Sequence, residues 1–247
     1  KQAPKNTPAA HMDNFYVEFD DVANKKYDGL IVTGAPLAHL VYGDVKYWEK
    51  MTVIMDWARR HVQSTLFSCW AAHAAIYHFF GKNRALRENK LSGVYRHFVQ
   101  NEHDELLRGF DPTFYAPQSR YGEISLSDYA SIPGLNVLAK SEEGGAYIIA
   151  SEDKRLVFVT GHPEYDPESL KQEYQRDLST NGQPQIPVNY FVDNDPNNEI
   201  ELPATGTTND VLTWNGTTWV AQVNDGSTTN EVISSSFLTP GGILILT

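Results

Sequence analysis

Ser64–Gly81, STLFSCWAAHAAIYHFFG, constrains the fold more than any other stretch of this chain. Ser64-Thr65-Leu66-Phe67-Ser68 is apolar, β-favouring and too short for a helix of its own, so it reads as a buried strand. Trp70 to Phe80 is rich in helix formers and ends at Gly81, a natural helix stop. Between the two stands Cys69, the only cysteine. Strand, sharp turn with a nucleophile at its tip, helix: this is the geometry of a nucleophile elbow. A side chain on that turn stands clear of the sheet, and the amides opening the helix stabilise anionic charge beside it. The competing reading of a lone cysteine after an apolar run is a small core hydrophobe.

The flanking segments extend the pattern. Residues 11–27 resemble a helix leading to a loop, with Phe15, Val17 and Phe19 as core candidates. Leu30-Ile31-Val32 has the signature of a central strand and is halted by Gly34-Ala35-Pro36. Tyr47 to Val62 carries a helical stripe of Trp48, Met51, Ile54, Met55, Trp57 and Ala58. The order strand, helix, strand, helix predicts a parallel α/β sheet with ligands at the carboxyl ends of its strands. Shorter strand candidates follow at 93–99, 137–139, 146–150 and 156–160, and a helix is expected over 167–179.

A chain of 247 residues can bury a sizeable core, with one domain and an appendage as the natural division. Because one cysteine makes no internal disulfide, nothing points to an oxidising compartment. No apolar run approaches a membrane span, and the N-terminal residues lack a signal-peptide core, so a cytoplasmic protein without a membrane partner is expected. A net charge of -11 argues against binding nucleic acid. Lysine and arginine cease after Arg176, and from about Glu201 the chain turns Thr, Asn, Gly and Ser-rich. The expected division is therefore an α/β domain over 1–200 and a small β module over 201–247. In that module Val211–Val220 forms a hairpin signal around Asn215-Gly216, and Ile243–Leu246 is an unguarded apolar strand expected to pair within the tail or with another chain.

A cysteine nucleophile needs a base to take its proton, and the base needs an orienting partner. The run LVFVT ends directly in Gly161-His162-Pro163-Glu164, so His162 and Glu164 sit at a strand end. If this strand and 64–68 share one parallel sheet, Cys69 and His162 converge. Glu164 would then fix the imidazole's tautomer and stabilise its cation. His73, His78, His97 and His103 lack metal-ligand spacing and read as packing residues, and no zinc, P-loop or dinucleotide signature is present.

Several segments, in unbroken order over about residues 5–197, are similar to the homoserine O-acyltransferases of methionine biosynthesis. They include YDGLIVTGAPL, DVKYWEKM, STLFSCWAAHAAIYHFFG, ENKLSGVYRH, LLRGFDPTFYAPQSRYGEI and VFVTGHPEYDPESLKQEYQRDL. The resemblance implies a class I glutamine amidotransferase-like (flavodoxin-like) sheet flanked by helices. It implies that Cys69 takes an acyl group from acyl-CoA as a thioester, with His162 as base and Glu164 as orienter. Arg176 would bind the carboxylate of L-homoserine, Lys90 and Ser119 match substrate-contacting positions, and Arg120 beside Ser119 is expected to bear on substrate specificity. Ala38 occupies the position that distinguishes acyl donors. Being small and uncharged, it favours succinyl-CoA over acetyl-CoA, since it does not repel a free carboxylate. Acyl-CoA is expected as a co-substrate, with no bound cofactor or metal, and a homo-oligomer is expected.

Departures from that pattern are equally specific. Gln118 stands where the family has histidine, and His73 where glutamine is common. The family's first strand, its following lysine loop and its closing helix have no counterpart, which predicts an open sheet lacking an inner strand, with exposed apolar surface and unpaired backbone. Two other readings therefore stand beside acyl transfer. One is a related amidotransferase-like hydrolase. The other is a non-catalytic interaction protein built from a transferase-like fragment and a β oligomerisation module.

Overall fold

The computed structural model describes residues 16–180, 182–198 and 200, together with the backbone of three strands within 210–246. A short helix α1 (Phe19–Val22) leads to β1 (Tyr27–Val32), α2 (Trp48–His61), β2 (Val62–Ser68) and α3 (Trp70–Phe80). Next come a long hairpin of β3 (Ala85–Val99) and β4 (Thr113–Glu123), α4 (Leu126–Ala130), β5 (Leu135–Ser141), β6 (Gly145–Ser151), β7 (Leu156–Val159) and α5 (Ser169–Ser179). Strands β8 (Asp210–Trp214), β9 (Trp219–Val223) and β10 (Ile243–Leu246) follow. No helix among the described residues is long and apolar enough to cross a membrane.

Eight strands form one sheet in the order β10-β1-β2-β7-β6-β5-β3-β4. The first four are parallel, and the pairings from β7 through β4 are all antiparallel. The expected all-parallel sheet is thus a mixed one. Its antiparallel half arises because β5, β6 and β7 are joined by tight turns, which leave no room for crossover helices. The parallel half is where β2 and β7 lie side by side, pairing Leu66 with Val157 and Ser68 with Val159.

Both faces of β2 and β7 are covered, which fits the wholly apolar β7 and the buried Ser64–Ser68 part of β2. Phe67 and Phe158 are fully buried on one face and stack at 5.6 Å beneath α2 and α3. Each contributes about 3 kcal/mol by leaving water. On the other face Leu66, Val157 and Val159 pack with Leu106, Leu107 and Ile148. A smaller cluster of Val94, Leu170, Tyr190 and Phe191 seats α5 on the β3 side.

Three further expectations change. The helix foreseen over 11–27 is only four residues long in the described part, and Val17 is 64% exposed, whereas Phe19 does pack edge-on against Trp57. Residues 11–15, including Phe15, lie outside the described residues. In addition, β10 pairs in parallel with β1, Gly29 to Ile243 through Val32 to Leu246, rather than within the tail or with another chain. It is the edge strand of the sheet, beside β1. The hairpin of β8 and β9 pairs Trp214 with Trp219. This leaves 215–218 between the strands instead of the two-residue Asn215-Gly216 connection, and the turn itself lies outside the described residues.

Candidate active site

The chain stays hydrogen-bonded to the sheet until the nucleophile and then turns abruptly. The Cys69 amide donates to the Val159 carbonyl at 2.8 Å, extending the β2–β7 pairing by one bond. Cys69 itself has φ 50° and ψ −115° and forms the N-terminal boundary of α3. A non-glycine residue at positive φ costs on the order of 1–3 kcal/mol and persists only where its surroundings over-determine it. Those surroundings are visible: the Cys69 carbonyl accepts from the Ala72 and His73 amides, and Gly34 at the end of β1 closes on the turn. A Cβ on Gly34 would stand 3.1 Å from the Cys69 Cβ and 3.4 Å from the Trp70 amide nitrogen, so only glycine gives the elbow this clearance.

His162 is delivered from the neighbouring strand. Its amide donates to the Pro117 carbonyl of β4 at 3.1 Å, which pins the loop after β7 to the far hairpin. Gly161 makes that approach possible, because a Cβ there would lie 2.6 Å from the Pro117 oxygen and 2.6 Å from the Tyr147 ring. The imidazole Nδ1 donates to Glu164 Oε1 at 2.7 Å, and Nε2 lies 3.3 Å from the Ser119 carbonyl oxygen. The Cys69 sulfur is 3.9 Å from that same oxygen, so the two side chains face one carbonyl. Burial alone would push the imidazole down. The adjoining Cys69 sulfur and Glu164 carboxylate more than reverse this and raise it to about 10. Tyr165 stacks on the imidazole with centroids 4.2 Å apart and planes at 20°.

A second cluster adjoins the first through Ser119. The Ser119 hydroxyl donates to Glu173, which also accepts from Tyr165 at 2.8 Å and from Lys90 at 3.1 Å. Burial opposes ionisation of Glu173, but the bonds from Ser119, Lys90 and Tyr165 prevail and hold its carboxyl below the usual range. Lys90 also reaches Asp177 at 3.1 Å. Arg176 lies at the rim with its side chain 62% exposed, 3.6 Å from Glu173 and 3.4 Å from Asp177.

Cys69, His162, Glu164 and Ser119 are therefore brought together, and Lys90 and Arg176 border them through Glu173. Ala38 sits on the loop after β1, its carbonyl held by Arg84 at 2.7 Å. Arg120 is 6% exposed and donates to Gln118 Oε1 and to the carbonyls of Gly122 and Gly144, tying hairpin and loop together. His73 and His97 are buried, which pushes both imidazoles down to about 3 and keeps them neutral.

The sequence reading missed Tyr165 and Glu173. Tyr165 follows Glu164 directly, and Glu173 stands three residues before Arg176 and four before Asp177, on one helical face. That spacing was the available signal.

Fold and site together define an α/β protein with a mixed sheet, bearing cysteine, histidine and glutamate at the rim of that sheet. A solved structure designated SMU.1228c overlays with a TM-score of 0.52 at 19% identity, covering 69% of this chain and 72% of that one. A glutamine amidotransferase from Thermotoga maritima gives 0.49 at 14% identity, covering 62% and 64%. The profile of the homoserine O-succinyltransferase family matches residues 1–220, and the chain belongs to that family. The homoserine O-succinyltransferase of Pseudoalteromonas atlantica is 70% identical over 195 residues, 79% of this chain and 63% of that protein. That of Shewanella piezotolerans is 53% identical over 192 residues, 78% and 61%. The chain spans less than two thirds of the length of these relatives.

Proposed function

We propose that this protein transfers a succinyl group from succinyl-CoA to the hydroxyl of L-homoserine through a thioester on Cys69. The observation that carries the reading is the convergence of the strained Cys69 elbow with an imidazole whose proton affinity Cys69 and Glu164 together raise. In the first half-reaction His162 takes the thiol proton, and the Cys69 sulfur attacks the thioester carbonyl carbon of succinyl-CoA. In this reading the amides opening α3 stabilise the oxygen that gains charge. The carbon–sulfur bond to coenzyme A breaks, and His162 returns the proton to the departing thiolate. In the second half-reaction His162 takes the hydroxyl proton of homoserine, whose oxygen attacks the Cys69 thioester and releases the free thiol.

Within this reading Arg176 meets the carboxylate of homoserine, its planar fork suited to that partner. Lys90 and Ser119 line the same recess, with Glu173 setting their geometry. Ala38 leaves space and no negative charge at the donor loop, which favours succinyl over acetyl.

The test is acylation itself. Intact-mass measurement after incubation with succinyl-CoA should find one succinyl group on the wild type and none on Cys69→Ala. Coenzyme A release without adduct or homoserine dependence would instead favour a hydrolase. Ala38→Glu should move donor preference toward acetyl-CoA, and an unmodified protein that already prefers acetyl-CoA overturns the donor assignment.

A further inference from the structure

We infer that Arg84 is the counter-charge that recognises the free carboxylate of the succinyl donor; this rests on the acyl-transfer reading above. The loop that follows β1 begins at Gly34, in contact with the Cys69 elbow, and runs through Ala38. One nitrogen of Arg84, Nη2, holds this loop by donating to the carbonyls of Leu37 at 3.4 Å, Ala38 at 2.7 Å and Leu40 at 2.8 Å. The guanidinium lies over the Tyr42 ring, 4.2 Å from its centroid. At the other side of the loop the His39 ring packs on Tyr121 at 4.6 Å. The loop is thus clamped with a cation directly beneath the position that distinguishes donors.

The charge on that cation is unmatched. Its sequence neighbours Lys82 and Arg87 each meet an acid, Asp128 at 2.8 Å and Glu123 at 2.7 Å. Among the described residues no carboxylate pairs with Arg84, its Nε is buried without a hydrogen-bond partner, and no bond is made by its Nη1. A buried donor without a partner is costly, and a cation beneath the donor loop without an anion invites one. A succinyl thioester carries its free carboxylate three carbon–carbon bonds beyond the reacting carbon. Charge therefore complements charge, and the uncharged Ala38 leaves the guanidinium available, where a carboxylate at that position would neutralise it.

The experiment compares succinyl-CoA with butyryl-CoA, which has the same carbon count and a methyl group in place of the carboxylate. Initial rates of Cys69 acylation of the full 247-residue chain are followed by coenzyme A release and intact mass, with folding checked by circular dichroism. In Arg84→Gln the ratio of kcat/KM for succinyl-CoA over butyryl-CoA should fall by at least about tenfold, and Arg84→Lys should restore most of it. A smaller fall, or an equal loss with both donors, means that Arg84 only braces the loop and overturns the proposal. Should Arg84→Gln fail to fold, Ala38→Glu decides: it should lower the same ratio, and an unchanged ratio overturns the proposal. A wild type acylated by neither donor would remove the acyl-transfer reading, and this one with it. Acylation by both without discrimination removes only this one.

Discussion

His162 and Glu164 are joined at 2.7 Å across a single intervening proline, and the carboxylate is the more exposed of the two. A partner so near in sequence cannot drift away from the ring it orients. Glu164→Gln should therefore leave the fold intact while lowering the imidazole's proton affinity. Acyl transfer should drop about tenfold or more, the range for a misoriented base. The His162 ring resonances, followed by NMR against pH, would report the shift directly. An unchanged midpoint would disprove the coupling.

The same pair makes stability pH-dependent. The His162 value is raised from 6.5 to about 10, so its favourable contribution is complete below about 6.5 and is lost as pH rises through about 10. Thermal melts of the wild type should decline across that alkaline window. In Glu164→Gln the folded value is less raised, so the decline should be smaller and end at lower pH.

Cys69 is held at φ 50°, a conformation glycine adopts without penalty. Cys69→Gly should abolish acylation yet raise stability by about 1 kcal/mol, whereas Cys69→Ala should abolish acylation without that gain. Urea denaturation of the two variants side by side is the measurement. Equal stabilities would mean that the elbow stores no strain.

Gly161 lies against the Pro117 oxygen and the Tyr147 ring, both 2.6 Å from where a Cβ would stand. Gly161→Ala must push the loop off β4, breaking the His162 amide bond to Pro117. The expected cost is about 2 kcal/mol or more, with acylation falling even where the variant folds. Chemical denaturation and intact-mass acylation together separate the two effects.

Glu173 is the hub of the neighbouring cluster. Its carboxyl is held below the usual range, so its contribution is present above about 4.5 and is lost as pH falls through the lower folded value. Lys90→Met should raise the Glu173 titration and bring acid unfolding to a higher pH, read by circular dichroism.

What the residues disclosed in advance follows from how their neighbours are arranged. The 64–81 stretch was legible because a short β-forming run, a nucleophile and a helix-forming run follow one another without interruption. His162 and Glu164 were legible because a strand of purely apolar residues ends in them. Strand β4 was not legible as a strand. Its middle is Pro117-Gln118-Ser119-Arg120, a proline and three polar residues whose burial is matched by partners elsewhere: His97 for Gln118, Glu173 for Ser119, and Gln118 with two carbonyls for Arg120. The turn from parallel to antiparallel pairing was equally hidden, since short apolar strands look the same in either direction. Arg84 gave no sign at all, because its significance lies in carbonyl groups more than forty positions away.

One feature of the elbow reaches beyond this chain's own chemistry. Cys69 and His162 are each anchored by an amide, to Val159 and to Pro117, and not by anything their side chains do. Apart from a change that crowds Gly161, substitution of surrounding side chains leaves such anchors in place, so the spacing of nucleophile and base outlasts changes in the walls around them. Those walls are free to diversify, and a scaffold of this kind can acquire new donors and acceptors while its reactive pair stays put.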